Sequence, residues 1–112
     1  MIDWTRADAL RAEIGDDGFH EVVNLFLDEA DEAIARIVRG AQPDLAADLH
    51  FVRGSALNLG FAVLARLCDE GERAAAAGEG ARVDLGLIAS VYAQSRAAFL
   101  RGIADPPQRV AG

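Results

Sequence analysis

Apolar residues recur along most of this chain at intervals of three and four residues, which is the spacing of an amphipathic α-helix. The clearest stripe steps by four, three, four and three residues through Leu45, Leu49, Val52, Ala56 and Leu59. No segment shows the alternation of β-branched and polar residues that is typical of a half-buried strand. The pattern therefore predicts an all-α fold.

Glycines and capping residues divide this pattern into five helical segments. The first three are predicted at about residues 5–14, 19–38 and 44–60. The fourth begins after residue 60 and fades by about residue 77, and the fifth covers about residues 83–102. The run Gly15–Gly18 separates the first two segments, and Gly78–Gly80 separates the last two. Four substantial helices with short connections predict an antiparallel up-down-up-down four-helix bundle. We expect the short additional N-terminal helix to cap one end, with Trp4 packing over that end.

The predicted elements form one domain at residues 1–104. The remaining residues, 105–112, contain two prolines and no helical pattern, so we expect a disordered C-terminal tail. No internal repeat and no linker long enough to separate domains is present in the sequence.

The charge of the chain argues against two classes of partner. Its net charge of −7 disfavours nucleic acid, which requires a basic face, and also an anionic membrane surface. The charge is uneven, because residues 1–48 carry −8 and residues 49–112 carry +1.

No apolar run reaches the roughly 18 residues of a membrane span. The first residues lack the basic and apolar regions of a secretory signal, so we expect a cytoplasmic protein.

His50 lies off the apolar stripe of the third predicted helix. It is about 100° around the helix from Leu49, so its side chain should be exposed. Arg53, Gly54 and Leu57 share its flank at three, four and seven residues further on. A glycine inside a helix costs about 1 kcal/mol relative to Ala, and an ordinary surface histidine does not explain that cost. Two hypotheses follow: an ordinary surface histidine, or a reactive one that needs space beside it.

Glu72 is predicted to lie level with His50. If the third and fourth helices are antiparallel and turn at Gly60 and Phe61, residues at equal distances from the turn lie side by side. The Glu72 carboxylate could then accept a hydrogen bond from Nδ1 of His50, which would fix the tautomer and leave Nε2 as a nucleophile. The alternative is that Glu72 is a solvated carboxylate on the helix surface.

The segment around His50 resembles the signature of the histidine-phosphotransfer (HPt) domains. That signature is His-x-x-Lys-Gly-Ser-Ser/Ala, followed by two variable residues, an apolar residue and Gly. Here it is matched by His50, Arg53, Gly54, Ser55, Ala56, Leu59 and Gly60. The order of the helices fits the family over nearly the whole chain. One departure is Arg53, which stands where the family usually has Lys.

The resemblance implies a role for each residue of the motif. His50 would accept the phosphoryl group through Nε2, Arg53 would steady the phosphoryl charge, and Gly54 would leave space for the group. Many members of the family have a Gln or Glu on the following helix bonded to the histidine, and Glu72 has the matching spacing. Arg53 keeps the charge of the usual Lys and adds a planar fork of donors.

The resemblance also implies a phosphocarrier. We expect no kinase activity, because the sequence has no Gly-rich nucleotide loop. Its partners would be receiver domains of response regulators or hybrid histidine kinases. The receiver would supply its Asp and Mg²⁺, so we expect no cofactor or metal on this chain. Leu57 and Phe61 are candidate contacts of the docking surface, with the alternative that these apolar residues belong to the core. We expect a monomer.

Two other functions are consistent with the residues. The first is a non-catalytic adaptor, a helical bundle that binds signalling partners while His50 is incidental. The second is a metal site built from His50, Glu72 and Cys68, although their spacing matches no usual zinc pattern.

Overall fold

The computed structural model describes residues 1–40 and 44–109, and within these residues the fold is all-helical apart from one isolated β-bridge. The four α-helices are α1 (Trp4–Arg39), α2 (Leu45–Leu59), α3 (Ala62–Ala76) and α4 (Leu85–Ala104). Short 3-10 helices at Gly80–Arg82 and Pro106–Gln108 precede and follow α4. Of the helices in the described residues, none has the length and apolar composition that a membrane crossing requires.

Helix α1 contains the break that the sequence predicts between two separate helices. Gly15 has φ of 81° and ψ of 164°, which is not helical, but the chain is helical on both sides of it. The residues after Gly15 enter the helix at once, and Arg11 Nε lies 2.8 Å from Asp16 Oδ1 across the break. A single glycine with positive φ therefore interrupts α1, where the sequence predicts a four-residue connection.

Aspartates begin three of the helices. The side chains of Asp3, Asp44 and Asp84 each accept a hydrogen bond from a backbone N–H in the first turn of α1, α2 and α4. Such caps satisfy donors that have no partner within the helix. Gly40 and Gly60 end α1 and α2 in the left-handed conformation that favours glycine.

The core lies between the four helices and is almost entirely apolar. Its largest fully buried side chains are Phe19, Phe61, Phe99, Ile37, Leu49, Leu59 and Leu64. All but the first of the five residues in the predicted α2 stripe are buried, and Leu45 packs against the core from its edge. The stripe therefore orients α2 so that the opposite side of the helix, including His50, faces solvent.

The two chain ends meet over one end of the core. Trp4 stacks on Phe99 with ring centroids 5.6 Å apart, and Asp3 N donates to Gly60 O at the α2–α3 turn. The Arg109 guanidinium lies 4.2 Å from the centre of the Trp4 ring and pairs with Asp8 at 2.9 Å. In the tail for which the sequence predicts disorder, Arg109 makes these contacts with α1, after the 3-10 helix at Pro106–Gln108. Residues 110–112 lie outside the described residues.

A polar cluster joins α1 to α4 away from the histidine. The Asp31 carboxylate accepts hydrogen bonds from Arg96 at 3.1 and 3.2 Å and from the hydroxyl of Tyr92. Burial and the neighbouring carboxylate raise the pKa of Tyr92 well above its ordinary value. Because each member is hydrogen-bonded, the cluster links the two helices through a partly exposed ion pair.

Candidate functional site

His50 projects from the middle of α2 into solvent. Its side chain is 65% exposed, while its neighbour Leu49 is fully buried on the core side of the helix. Both hydrogen-bond contacts of the ring to other described residues involve Nδ1. The ring is therefore held from one edge, and most of its surface is accessible.

Glu72 holds the ring from α3. Its Oε1 lies 3.0 Å from His50 Nδ1, which is the contact expected from the hairpin, and its side chain is 25% exposed. Gly71, the residue before it, explains how the two helices come so close. A Cβ at Gly71 would lie 3.1 Å from side-chain atoms of Leu49 and Val83, closer than most real contacts. The glycine therefore lets α3 approach α2 directly beside His50.

Arg53 lies on the same edge of the ring as Glu72. Its Nη2 is 3.0 Å from His50 Nδ1, and its Nε is 3.1 Å from Glu72 Oε2. Its Nη1 is 3.8 Å from Asp69, which also pairs with Arg73 at 3.2 Å. The resemblance implies a cation beside the phosphoryl group on Nε2, but in the structure the guanidinium contacts Nδ1 and two carboxylates.

Gly54 borders open space one turn after His50. A Cβ built there would have no atom of another part of the protein within 4 Å. The packing of this protein therefore does not require a glycine at position 54. Its backbone oxygen accepts a hydrogen bond from Asn58 Nδ2 at 3.0 Å.

A family model for the Hpt domain matches residues 21–98, which include His50, Arg53, Gly54 and Glu72. The chain belongs to the Hpt domain family. Hpt domains are phosphocarriers in phosphorelay signalling that interact with receiver domains and are not themselves kinases. Searches of curated proteins and of solved structures find no match to the chain.

The two apolar residues predicted for the docking surface of this Hpt domain differ in exposure. Leu57 is 53% exposed and lies on the same side of α2 as Arg53 and Gly54. Phe61 is only 1% exposed, because its ring packs edge-to-face against Phe99 at 5.3 Å in the core. A partner of the folded protein can contact Leu57, whereas the prediction that Phe61 belongs to the docking surface is corrected by its burial.

Cys68 lies beneath the site of this Hpt domain and not in it. The thiol is completely buried, and burial raises its pKa to about 12, so it remains protonated at neutral pH. The sequence left open a metal site formed by His50, Glu72 and Cys68. Across the described part of the chain, no three side chains among His, Cys, Asp and Glu are grouped closely enough to hold a metal ion.

Proposed function

We propose that this Hpt domain carries a phosphoryl group on Nε2 of His50. The group arrives from the aspartyl phosphate of a receiver domain or from a kinase, and leaves to the Asp of another receiver domain. The observation that supports this most directly is the 3.0 Å contact between Nδ1 and the Glu72 carboxylate, on a side chain that is 65% exposed. A carboxylate at Nδ1 favours the tautomer in which Nε2 has a free lone pair.

The transfer step follows from this tautomer. The Nε2 lone pair attacks phosphorus, the bond from phosphorus to the aspartyl oxygen breaks, and its electron pair returns to the receiver carboxylate. The proton on Nδ1 stays on the ring, and the Glu72 carboxylate stabilises the positive charge that the ring acquires. When the group moves on to a second receiver, the same steps occur in reverse.

The charge of the moving phosphoryl group requires neutralisation from both proteins. In this proposal the receiver contributes Mg²⁺ with its Asp, and this chain contributes Arg53 after its guanidinium leaves Nδ1. The open space at Gly54 admits the phosphoryl group and the receiver surface, and Leu57 makes an apolar contact at the edge.

We infer for the scaffold the up-down-up-down order predicted from the sequence. Its support is the pairing of residues along adjacent helices. Arg36 near the end of α1 pairs with Asp48 near the start of α2 at 3.0 Å, and Arg6 at the start of α1 contacts Asn58 at the end of α2 at 3.2 Å. The separate N-terminal helix corresponds in this proposal to the segment of α1 before Gly15.

The proposed function is tested by phosphotransfer profiling. The purified protein is mixed with each phosphorylated receiver domain of its source organism, and transfer is followed with labelled phosphate. We expect an acid-labile phosphoryl group on the peptide that contains His50, located by mass spectrometry. If no receiver or kinase transfers a phosphoryl group to the wild-type protein, the proposal is wrong.

Replacing Gly54 with Ala is expected to impair phosphotransfer without harming the fold. The new Cβ meets no atom within 4 Å in the free protein, and Ala favours the helix by up to about 1 kcal/mol. Any loss of transfer must then arise with the partner or its phosphoryl group in place. The measurements are the free energy of unfolding in urea and the initial rate of transfer from a phosphorylated receiver.

Gly18→Ala is the matched control for this variant. Gly18 is also helical, and its added Cβ would make only ordinary contacts of 3.6–4.0 Å with Ile14. Both variants should keep or slightly raise the stability, and only Gly54→Ala should slow transfer. Equal transfer rates for Gly54→Ala and wild type would show that the space at this position is not needed.

A further inference from the structure

Two groups of opposite character contact the same atom of His50. The Glu72 carboxylate oxygen and the Arg53 guanidinium nitrogen each lie 3.0 Å from Nδ1. A carboxylate only accepts hydrogen bonds and a guanidinium only donates them. In the neutral ring, Nδ1 carries either a proton or a lone pair, so it can satisfy one of these partners at a time.

Each partner favours a different tautomer. With the proton on Nδ1, the ring donates to Glu72, and the hydrogens of Arg53 oppose that proton. With the proton on Nε2, the Nδ1 lone pair accepts from Arg53, and the Glu72 oxygen opposes that lone pair. Only the first tautomer leaves a lone pair on Nε2, so only the first can attack a phosphoryl group there.

Arg53 has an ion pair with Glu72 through Nε at 3.1 Å, but its side chain is 29% exposed and its remaining contact is weak. Its Nη1 is 3.8 Å from Asp69, which already has a second cation in Arg73. Residues Arg53, Leu57, Arg66 and Asp69 line an open depression on the outer surface of α2 and α3. The flank at Gly54 is open too, so the guanidinium has space outside its contact with Nδ1.

We propose that Arg53 is a positioning residue that sets which ring nitrogen of His50 carries the proton. In the free protein its contact with Nδ1 opposes Glu72 and populates the tautomer protonated on Nε2, which is not nucleophilic at that atom. A phosphoryl group at the site draws the guanidinium away, and Glu72 then fixes the nucleophilic tautomer. This inference rests on the proposed role of His50 and adds that arrival of the phosphoryl group itself activates the ring.

The usual Lys of the family cannot reproduce this arrangement fully. A guanidinium presents several nitrogens in a fixed plane, so Arg53 places Nη2 against Nδ1 while Nε stays in ion-pair distance of Glu72, at 3.1 Å. An ammonium is a single flexible donor centre. Arg53→Lys should therefore give a tautomer ratio between that of the wild type and that of Arg53→Met.

The test is nitrogen NMR of the protein labelled with ¹⁵N-histidine, recorded at about pH 8.5, where a histidine side chain in water is neutral. The shifts of the two ring nitrogens report the tautomer ratio, and His20, the other histidine of the chain, is an internal reference. We expect Arg53→Met to raise the fraction protonated on Nδ1 and Glu72→Gln to lower it. Each ratio should change by roughly twofold to tenfold, the effect of one hydrogen bond.

The matched control is Arg73→Met, which removes a cation bound to Asp69 that does not contact the ring. Circular dichroism verifies that every variant is folded. The inference is overturned if Arg53→Met leaves the ratio unchanged, moves it in the same direction as Glu72→Gln, or moves it no further than Arg73→Met. The NMR result needs no phosphodonor, so failure of phosphotransfer and failure of this inference are separate outcomes.

Discussion

His50→Gln is expected to abolish acceptance of phosphate from a phosphorylated receiver domain. Gln has no nucleophilic nitrogen, because the lone pair of an amide is delocalised, so the label should remain on the receiver. The side chain is 65% exposed and lies outside the core, so the free energy of unfolding should change by no more than about 0.5 kcal/mol. The measurement is transfer of labelled phosphate, with urea unfolding as the check on the fold.

His20→Gln is the matched control, since it changes the only other histidine of the chain. His20 is an exposed residue of α1 with an edge contact to Phe19, and it should accept no phosphate, so this variant should behave as the wild type. Undiminished labelling of His50→Gln would contradict the assignment of the acceptor. Binding of receivers that survives His50→Ala, with no acid-labile phosphate on the wild type, would instead favour the adaptor hypothesis.

The sequence predicted that His50 is exposed, and it gave the contact with Glu72 as one of two hypotheses. The apolar stripe of α2 determines which side of the helix is buried, and the short α2–α3 turn determines which residues of the two helices lie level. Both follow from regular helical geometry, in which the number of residues between two positions determines where they lie relative to each other. The backbone of α2 and α3 was therefore predictable wherever it is regular.

The arrangement of Arg53 was not predictable in the same way. Its side chain has many rotamers, and the preferred one depends on carboxylates at residues 69 and 72 of another helix. The motif specifies a cation at this position but does not specify which edge of the ring it contacts. The choice of Arg over Lys matters here, because the planar guanidinium contacts His50 through one nitrogen and pairs with Glu72 through another.

Irregular segments account for the other differences. Phe61 follows the last turn of α2, so the helical period no longer decides its direction, and an isolated antiparallel bridge between its backbone and Ile2 accompanies its burial. Residues 105–109 have no helical pattern, yet Arg109 packs on Trp4, about a hundred positions earlier in the chain. Contacts between residues so distant in sequence have no signature in local spacing.

Gly60→Ala is expected to destabilise the protein by about 3 kcal/mol. Gly60 has φ of 84°, and the left-handed conformation costs a residue with a Cβ about 1 kcal/mol. A Cβ there would also overlap the backbone carbonyl of Asp3, which cannot move aside as a flexible side chain can, adding about 2 kcal/mol. The clash would displace Asp3, whose N–H donates to Gly60 O at 2.6 Å. The measurement is the free energy of unfolding in urea.

Gly78→Ala separates the two contributions. Gly78 has φ of 77° but no atom within 4 Å of an added Cβ, so this variant should lose only the conformational part, about 1 kcal/mol. If the two variants lose equal stability, the close approach of residue 3 to the turn contributes nothing to the destabilisation of Gly60→Ala. A larger loss for Gly60→Ala means that the last glycine of the motif anchors the N-terminal segment on the α2–α3 turn. That turn determines which residue of α3 lies beside His50, so the same variant should also weaken the contact with Glu72.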